Sequence, residues 1–483
     1  MTVREYDLVL IGTGSGMNIV APMLRHRAGV RVAIIDKDPP GGICLTRGCI
    51  PTKILLHSAD VLRTAQDAKH FGVETGPVRA DFTRVMERMR RMINEEIEQI
   101  RRGLESSPNI DYYPSRAEFV EPYTLSVSGE KIRSRTIVLC TGSTPFVPPI
   151  RGLERTGFHT SDSVLGWREL PARIGIIGGG YIAAEYGHFF SAMGSSVTII
   201  GRNPRILPGE EPEVSEHAAE HMRLYLNLLT NHEVVGVDVG PKGEKLIHAV
   251  DRATGSTSSI AVDEILVATG RAPNTDILHP ERGGVMTDRR GWILVNEYLE
   301  TTAPGVWALG DAIGRYMFKH AANYESLVVY QNSVLGQRVK VDYRAVPHAV
   351  FTYPEIASVG MSEAEAVRAL GRERVLIGRA DYGETAKGLA MEASGCFAKI
   401  IAEARAGRIL GAHIIGPHAS LLIQELVTLM YTQEKSLAPI ANGMHIHPAL
   451  TEVVERAASS LMPVEMYHHV LSHGASDTGK RHG

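Results

Sequence analysis

Two cysteines separated by four residues stand in the segment GGICLTRGCIPTK at 41–53, and they carry the most specific chemistry in this sequence. Cys44 and Cys49 are close enough to close an intramolecular disulfide, and a dithiol–disulfide couple transfers two electrons. The attacking species in such an exchange is a thiolate, which a helix N-terminus or a nearby cation favours. Pro51 suits the first turn of a helix whose N-terminal end points at Cys49. The segment therefore predicts a redox-active cysteine pair.

Two other interpretations of this pair stay open. It could be half of a zinc site, although no second pair of ligands accompanies it, or two buried structural thiols. Cys140 lies in an apolar strand pattern and Cys396 in an alternating one, so both are interpreted as small core residues without a role. His468, His469 and His473 could bind a metal adventitiously, but no carboxylate or cysteine cluster supports a metal site there, and we predict none.

Two glycine-rich turns predict the framework that holds the pair. The segments YDLVLIGTGSGM at 6–17 and RIGIIGGGYIA at 173–183 each place a buried-type strand before a turn, and helical spacing follows. Glycines at such a turn let the backbone approach a pyrophosphate at the helix N-terminus. The sequence thus predicts two dinucleotide-binding units. Their glycines are Gly12, Gly14 and Gly16 in the first turn and Gly178 and Gly180 in the second.

The residues that follow each unit's second strand indicate which nucleotide it binds. Asp36 ends that strand in the first unit, near the spacing of about 20 residues at which a carboxylate reaches a ribose hydroxyl. Met17 replaces the third motif glycine, which predicts looser helix–strand packing. In the second unit Gly201 replaces the acid, and Arg202 and Arg205 follow. Guanidinium groups pair with a 2′-phosphate, so NADP is favoured over NAD, with a solvated arginine turn as the alternative.

The rest of the chain predicts a few further elements. Helical spacing of apolar residues over 81–105 predicts a long amphipathic helix, and the apolar stretch 17–24 predicts a second helix. Alternating strands at 396–401 and 408–414, followed by helical segments, predict a separate C-terminal α+β domain. From about residue 466 the chain is polar and rich in glycine, histidine and serine, which predicts a fraying tail.

Composition excludes several classes of protein. The 483 residues are 44% hydrophobic and 22% charged with a formal charge of −3, which predicts globular domains and neither a nucleic-acid nor a membrane partner. No secretory signal or bilayer-spanning run is recognised, and four cysteines are too few for a disulfide scaffold. We therefore expect a cytoplasmic protein.

In combination, these motifs resemble the pyridine nucleotide–disulfide oxidoreductase family from the first glycine turn to about residue 460. The resemblance rests on the cysteine segment and on TIVLCTGSTPFVPP at 136–149, EILVATGRAPN at 264–274, GVWALGDA at 305–312 and HIHPALTEVVE at 445–455. It implies an α/β fold with two Rossmann-type dinucleotide-binding domains and a C-terminal α+β dimerisation domain. The implied divisions are an FAD-binding domain at 1–150, an NAD(P)-binding domain at 151–271, a central domain at 272–343, an interface domain at 344–465 and a flexible tail at 466–483.

The resemblance also implies roles in proton and electron transfer. Cys44 matches the interchange thiol that exchanges with substrate, and Cys49 matches the sulfur that contacts the flavin. His447 and Glu452 match an acid–base couple that one subunit of a homodimer contributes to the active site of the other. Imidazole suits this task because it takes up and returns protons near neutral pH. His445 is interpreted as a loop residue.

Further residues are implied to surround the cofactors. Lys53 and Glu185 match an ion pair beside the flavin, Asp311 matches an acid that binds the ribityl chain, and Tyr181 resembles the aromatic gate of glutathione reductase. Asp36 matches the acid that binds the adenosine ribose. The matching segments also imply cofactor contacts for Gly42, Thr141, Gly142 and Gly270.

The implied activity is that of an FAD-dependent, NAD(P)-linked disulfide oxidoreductase. A dihydrolipoamide dehydrogenase-like enzyme is the first expectation, because the apolar helix at 17–24 would suit a lipoyl arm if it lines the substrate channel. A mycothione-type or other low-molecular-weight disulfide reductase is the alternative, and a non-catalytic flavoprotein scaffold is the alternative of another class. The expected partners are a small-molecule or lipoyl-domain disulfide or dithiol and a second copy of the chain.

Overall fold

The computed structural model describes residues 3–393 and 395–474, which divide into two compact units. Unit 1 comprises the residues up to 172 together with 263–342, and unit 2 comprises 173–262 together with the residues from 343 onward. Each unit therefore combines two stretches of chain that are far apart in sequence. The finer division into four domains stays a prediction.

Strands and helices alternate along most of the chain. The strands are β1 Val3–Glu5, β2 Leu8–Ile11, β3 Val32–Ile35, β4 Ile110–Tyr113, β5 Ala117–Glu121, β6 Thr124–Val127, β7 Glu130–Arg133, β8 Ile137–Leu139, β9 Ser143–Pro145, β10 His159–Thr160, β11 Arg173–Ile177, β12 Ser196–Ile200, β13 Asn227–Leu229, β14 His232–Val239, β15 Lys245–Asp251, β16 Thr257–Val262, β17 Glu264–Val267, β18 Arg271–Pro273, β19 Val306–Ala308, β20 His348–Val350, β21 Ile356–Gly360, β22 Val375–Asp381, β23 Phe397–Glu403, β24 Ile409–Ile415 and β25 Met462–Pro463. The α-helices are α1 Met17–His26, α2 Gly42–Thr46, α3 Cys49–Asp67, α4 Phe82–Ser106, α5 Leu153–Thr156, α6 Tyr181–Met193, α7 Pro212–Met222, α8 Lys319–Ser333, α9 Glu363–Leu370, α10 Ala386–Ala390, α11 Ala419–Met430, α12 Ala438–Asn442, α13 Thr451–Ser459 and α14 Val464–Gly474.

A five-stranded parallel sheet in the order β19-β8-β2-β3-β4 forms the centre of unit 1. Strands β2, β3 and β8 are buried along their whole length, as expected for a parallel sheet covered on both faces. The chain passes from β2 through α1 to β3, so the first predicted βαβ unit is confirmed. Unit 1 also contains a four-stranded sheet in the order β1-β7-β6-β5 and the antiparallel pair β9-β18.

Helix α4 is the long amphipathic helix that the spacing predicts. Asp81 caps its N-terminus by accepting a hydrogen bond from the backbone N–H of Arg84, which satisfies one of the donors left open at a helix start. Its buried face consists of Phe82, Met86, Met89, Ile93, Ile97 and Leu104. The methionines are therefore packing residues of unit 1, as the spacing indicates.

Unit 2 contains the second predicted βαβ unit, in which α6 connects the parallel strands β11 and β12, with β13 beside them. An antiparallel sheet of β14, β15 and β16 follows, which the sequence pattern did not predict. A side chain on Gly175 of β11 would collide with Ile247 of β15, because its Cβ would lie 2.4 Å from Ile247 Cδ1. This glycine therefore lets the two layers pack closely.

A six-stranded antiparallel sheet in the order β20-β21-β24-β23-β22-β25 forms the remainder of unit 2. Strands β23 and β24 are those expected at 396–401 and 408–414, shifted by one or two residues. With α11 and α13 they bury a continuous apolar cluster, so the predicted α+β arrangement is confirmed. No helix among the described residues is long and apolar enough to cross a membrane.

The expected fraying tail is wrong for residues 466–474, because helix α14 extends to Gly474. The buried Tyr467 donates a hydrogen bond from its hydroxyl to Glu213 Oε2 at 2.6 Å, and His468 pairs with Glu363 at 2.5 Å. Tyr467 also packs in an apolar cluster with Ile377 and other residues. The polar composition of this segment does not indicate these contacts, because they are made with residues that are distant in the sequence. Residues 475–483 lie outside the described part of the chain.

Candidate active site

Cys44 and Cys49 lie at the junction of two helices in unit 1. Cys44 is the third residue of α2, and Cys49 is the first residue of α3, so its sulfur stands at the N-terminal end of a 19-residue helix. Pro51 lies in the first turn of α3, as the sequence indicates. The side chains of the two cysteines are hydrogen-bonded to each other. The partial positive charge of a helix N-terminus favours a thiolate at Cys49.

The environment of Cys44 makes it hard for this thiol to lose its proton. The hydrogen bond to Cys49 and burial raise the pKa of the Cys44 thiol far above its ordinary value, and the nearby Lys319 ammonium partly opposes this rise. Cys44 consequently needs a base before it can attack another sulfur.

The residues of unit 1 fit an FAD molecule, the cofactor that the family fold implies. Asp36 accepts hydrogen bonds from the backbone N–H and the hydroxyl of Thr13 at 2.8 and 2.6 Å, which fixes its carboxylate at the end of β3. A Cβ on Gly42 would lie 2.5 Å from the Cα of Gly14, so two glycine backbones form one narrow concave surface. The buried Thr141 hydroxyl has no hydrogen-bond partner in the structure. A close backbone cradle and an unsatisfied hydroxyl are what a dinucleotide requires.

A chain of hydrogen bonds orients Asp311 beside this cradle. Arg271 donates from Nε to Ser143 Oγ and from Nη2 to the Ser143 carbonyl, both at 2.7 Å, and Ser143 Oγ donates to Asp311 Oδ2 at 2.5 Å. The buried Glu325 accepts the backbone N–H of Gly310 at 2.6 Å and so holds the turn that carries Asp311. Sequence reasoning missed Arg271, Ser143 and Glu325. Arg271 follows Gly270 in one of the quoted motifs, but nothing in the spacing links it to Ser143.

The packing expected around Met17 is wrong. A Cβ at Gly16 would lie 2.4 Å from Cys140 Sγ and 2.8 Å from Leu10 Cδ1. Gly16 therefore provides the close helix–strand approach one residue before the motif position that Met17 occupies. Cys140, for which the sequence indicates no role, packs directly against this turn.

The predicted nucleotide site of unit 2 is built from the turn after β11. Gly178 has a φ of +133°, and Gly180 precedes the first residue of α6. Gly201 packs on Gly179, because a Cβ on either residue would lie 3.4 Å from the other's Cα. Arg202 and Arg205 are exposed at the end of β12. Glycine at 201 thus leaves room where a larger ribose-binding acid would stand.

The arginine cluster has a third member that sequence reasoning missed. Arg252 donates from Nη1 to the carbonyl oxygen of Arg202 at 2.9 Å, and it lies about fifty residues further along the chain. Arg205 Nη1 lies 3.7 Å from Glu216 Oε1, and both side chains are exposed. An ion pair at such an exposed position contributes little to stability. Arg252 therefore joins Arg202 and Arg205 at the turn that follows β12.

Tyr181, the predicted gate residue, is anchored inside unit 2. Its hydroxyl forms a hydrogen bond with Glu210, and its ring stacks on His348 with centroids 5.4 Å apart. The fully buried Glu210 carboxylate also binds His348 Nε2 and Ser358 Oγ, each at 2.7 Å. Burial alone would raise the pKa of Glu210, but these donors hold it below its ordinary value. The gate residue is thus tied to a buried ionised carboxylate.

His447 and Glu452 form a couple at the start of α13. His447 Nδ1 lies 2.9 Å from Glu452 Oε1, and Glu452 Oε2 accepts the backbone N–H of Ala449 at 3.1 Å. The hydrogen bond to His447 lowers the pKa of Glu452. The His447 ring is 68% exposed, whereas His445 is mostly buried beside Glu425. Of the two histidines in this segment, His447 is therefore the one that combines an orienting carboxylate with an exposed ring.

Lys53 and Glu185 belong to different units, so their pairing stays a prediction. Lys53 lies on α3, one turn after Cys49. Glu185 is buried on α6, and its Oε1 accepts the backbone N–H of Phe351 at 3.1 Å. The remaining predicted glycines, Gly142 and Gly270, adopt positive φ angles of +67° and +119° after β8 and β17.

Helix α1, whose apolar stretch suggests a lipoyl arm, packs in part into the core of unit 1. The side chains of Ile19, Val20 and Met23 on α1 are buried in the apolar core of unit 1. Asn18 is exposed and hydrogen-bonds Ser326. These three apolar side chains therefore stabilise the fold of unit 1.

Comparison with known proteins agrees with this arrangement. Residues 6–326 match the pyridine nucleotide-disulphide oxidoreductase family, and residues 346–458 match its dimerisation domain. Mycothione reductase of Mycobacterium tuberculosis is 38% identical over 474 residues, which cover 95% of this chain and all of that protein. Dihydrolipoyl dehydrogenase of Synechocystis sp. is 35% identical over 94% of this chain and 98% of its own length. A Cu(II) complex of the HOCl-induced flavoprotein disulfide reductase RclA from Escherichia coli superimposes with a TM-score of 0.83 at 28% identity, over 95% of this chain and 99% of that one.

The fold and the cysteine pair thus define a flavoprotein disulfide reductase. This chain belongs to the pyridine nucleotide-disulphide oxidoreductase family, and it is an enzyme of that class. The family uses FAD and a nicotinamide nucleotide, and both mycothione reductases and dihydrolipoyl dehydrogenases are among the relatives.

Proposed function

We propose that this chain is an NADPH-dependent reductase of a low-molecular-weight disulfide that acts through Cys44 and Cys49. The observation that carries the proposal is the placement of the pair, in which Cys49 is the first residue of α3 and the side chain of Cys44 on α2 is hydrogen-bonded to it. Bound FAD would pass electrons from the nicotinamide nucleotide to the cysteine pair. Residues of the chain itself would then carry out the disulfide exchange and the proton transfer.

The Cys44 thiolate attacks one sulfur of the substrate disulfide and releases the other sulfur as a thiolate. Cys49 next attacks Cys44, which closes the Cys44–Cys49 disulfide and releases the second substrate thiolate. His447 takes the proton from Cys44 and returns it to the first leaving thiolate, and Glu452 holds the imidazole in one tautomer. The raised pKa of Cys44 makes this base necessary.

The proposal includes a homodimer. His447 stands on an exposed surface that includes Met444 and Ile446, which are 103% and 78% exposed. Large apolar side chains at such exposure suit a protein interface, and residues 346–458 match a dimerisation domain. A second copy would cover these side chains and bring His447 to the opposite subunit's cysteine pair.

The preference for NADPH rests on charge at the end of β12. Arg202 and Arg205, with Arg252 beside them, supply guanidinium groups where many dinucleotide sites carry an acid. Such groups attract a 2′-phosphate and gain little from a ribose hydroxyl.

The low-molecular-weight substrate class rests on two observations. Tyr181 resembles the aromatic gate of glutathione reductase, a reductase of a small disulfide, and its ring is held against His348. The 38% identity to mycothione reductase over nearly the whole chain also supports a small disulfide as substrate. Oxidation of dihydrolipoamide is the second candidate, because dihydrolipoyl dehydrogenases reach 35% identity over a similar length. A lipoyl-domain partner belongs to that second candidate.

A substrate panel tests the proposal. The purified enzyme would be assayed with mycothione, glutathione disulfide and lipoamide against NADH and NADPH, and with dihydrolipoamide against NAD. We expect the highest kcat/KM with a small disulfide and NADPH. Higher kcat/KM with dihydrolipoamide and NAD would establish the second candidate. A protein that binds FAD but turns over none of these substrates would instead favour the non-catalytic flavoprotein scaffold.

A further inference from the structure

Two histidines one turn apart on α7 form a pair that takes no part in the chemistry above. His217 and His221 lie on the same helix face, because residues four apart in an α-helix are neighbours. Their Nε2 atoms share a hydrogen bond of 3.1 Å, in which either ring can be the donor, and their ring centroids are 4.7 Å apart. Both rings are half-buried. The two nitrogens therefore converge on one point beside the helix.

The spacing of these nitrogens matches the ligand geometry of a metal ion. In a tetrahedral site with metal–nitrogen bonds of about 2.0–2.1 Å, two ligand nitrogens lie about 3.3–3.4 Å apart. A widening of a few tenths of an ångström would admit the ion. A metal ligand must be a neutral imidazole, and burial lowers the pKa of both His217 and His221.

Neighbouring residues support His217 in the orientation that a ligand needs. Its Nδ1 lies 3.3 Å from Glu220 Oε2, so the carboxylate favours the tautomer with a free lone pair on Nε2. Metal-binding histidines commonly have such a carboxylate behind them, and it strengthens the ligand. The His217 ring also packs edge-on against Phe397 with centroids 5.9 Å apart.

Gly395 packs closely against the ring of His217. A Cβ on Gly395 would lie 2.8 Å from His217 Nε2, so a side chain at this position would collide with the ring. Gly395 also has a φ of +77°. Arg379 is the cation that faces this histidine, and its guanidinium forms an ion pair with Asp381 at 2.8 Å.

From this geometry we infer that His217 and His221 form a binding site for a divalent late transition metal ion such as Zn²⁺, with Glu220 as a positioning residue and water completing the coordination. Imidazole is a preferred ligand of these ions. The site is distinct from the carboxylate trio of Glu211, Glu213 and Glu363, at whose centre the buried Lys399 ammonium already forms an ion pair with each carboxylate.

The chain offers a matched control for this site. His469 and His473 on α14 have the same spacing, and their rings are tilted by 39° with centroids 4.2 Å apart. His473 Nδ1, however, bonds the backbone carbonyl of His469 at 2.8 Å, and both side chains are exposed. This second pair has the same residue types and spacing as the first, but a backbone carbonyl stands at Nδ1 of His473.

Zn²⁺ binding to the air-oxidised holoenzyme, measured by isothermal titration calorimetry, tests the inference. Oxidation closes Cys44 and Cys49 to the metal. We expect one site of micromolar affinity in the native chain and in the double variant H469Q/H473Q, and loss of that site in H217Q/H221Q. Glu220→Gln should weaken Zn²⁺ binding by about tenfold, the lower end of the effect of such supporting carboxylates.

Two results would overturn the inference. One is that the native chain shows no Zn²⁺ binding in the titration. The other is that the stoichiometry of H217Q/H221Q equals that of the native chain, which would assign the bound metal to other histidines. Circular dichroism and FAD content verify that each variant is folded, and if H217Q/H221Q fails this check, the single variant His221→Asn takes its place.

Discussion

Replacing Gly42 with alanine tests the close backbone approach on which FAD binding depends. The added Cβ would lie 2.5 Å from Gly14 Cα and 3.0 Å from Gly14 N, atoms of a backbone that cannot rotate away as a side chain could. Gly42 also has a φ of +70°, and an L-residue in this region costs about 1–2 kcal/mol. The substitution therefore combines backbone strain with a steric collision.

Gly72 separates these two effects. It has nearly the same φ, +74°, and a Cβ there meets no atom within 4 Å. Gly72→Ala therefore carries the strain alone, while Gly42→Ala adds overpacking of about 1–3 kcal/mol. At 1.4 kcal/mol per tenfold, this difference corresponds to an FAD affinity about 5- to 150-fold weaker in Gly42→Ala than in Gly72→Ala.

Fluorescence titration of the two apoproteins with FAD measures this ratio directly. Thermal unfolding without FAD checks that both variants remain folded. Equal FAD dissociation constants for Gly42→Ala and Gly72→Ala would show that the cofactor does not depend on the Gly14–Gly42 approach, and the reasoning about the cradle would be wrong.

Three other predictions follow from the site. His447→Gln should lower disulfide turnover by about 10²- to 10⁴-fold, while flavin reduction by NADPH stays normal in stopped-flow absorbance. His445→Gln should leave both rates within a few-fold of the native values. A loss of turnover in His445→Gln but not in His447→Gln would show that His445 is the base. Lys319→Gln removes a positive charge that lowers the pKa of the Cys44 thiol, so the pKa of Cys44 should rise further. The pH at which the alkylation rate of Cys44 increases should therefore be higher in Lys319→Gln and unchanged in Lys319→Arg. An unchanged pH profile in Lys319→Gln would exclude this role for Lys319. Tyr181→Phe keeps the ring but removes its hydrogen bond to Glu210, so KM for NADPH should change about 2- to 10-fold with KM for the disulfide constant; a change in the disulfide KM alone would contradict the gate assignment.

Much of the fold follows from local patterns in the sequence. Strands β2 and β11 are continuous apolar runs that end in glycines, and these patterns specify both βαβ units without reference to distant residues. The spacing of apolar residues likewise predicts α4 to within one residue at each end. Period and turn chemistry are local properties, so a single sequence is sufficient to read them.

Other parts of the fold depend on contacts that no local pattern contains. Helix α14 looks like a polar tail, but Tyr467 is buried and its hydroxyl binds Glu213 from more than two hundred positions away. The sheet β14–β16 alternates weakly and contains exposed valines such as Val235 and Val239. Tertiary packing decides such elements, and it outweighs their local preference.

The candidate site also contains residues that the sequence alone brings together and residues that only the fold brings together. Cys44 and Cys49 are five positions apart, so their proximity can be read from the sequence. Arg271, Ser143 and Asp311 form one hydrogen-bonded chain although they come from three separate segments. Only the fold brings their polar groups together.

Anaerobic reductive titration tests the central claim most directly, which is that electrons pass through Cys44 and Cys49. The native enzyme should take up about four electrons per FAD, two for the cofactor and two for the cysteine disulfide, whereas Cys44→Ser should take up about two and lose disulfide turnover while NADPH still reduces its flavin. An uptake of two electrons by the native enzyme, or substantial disulfide turnover by Cys44→Ser, would contradict the account.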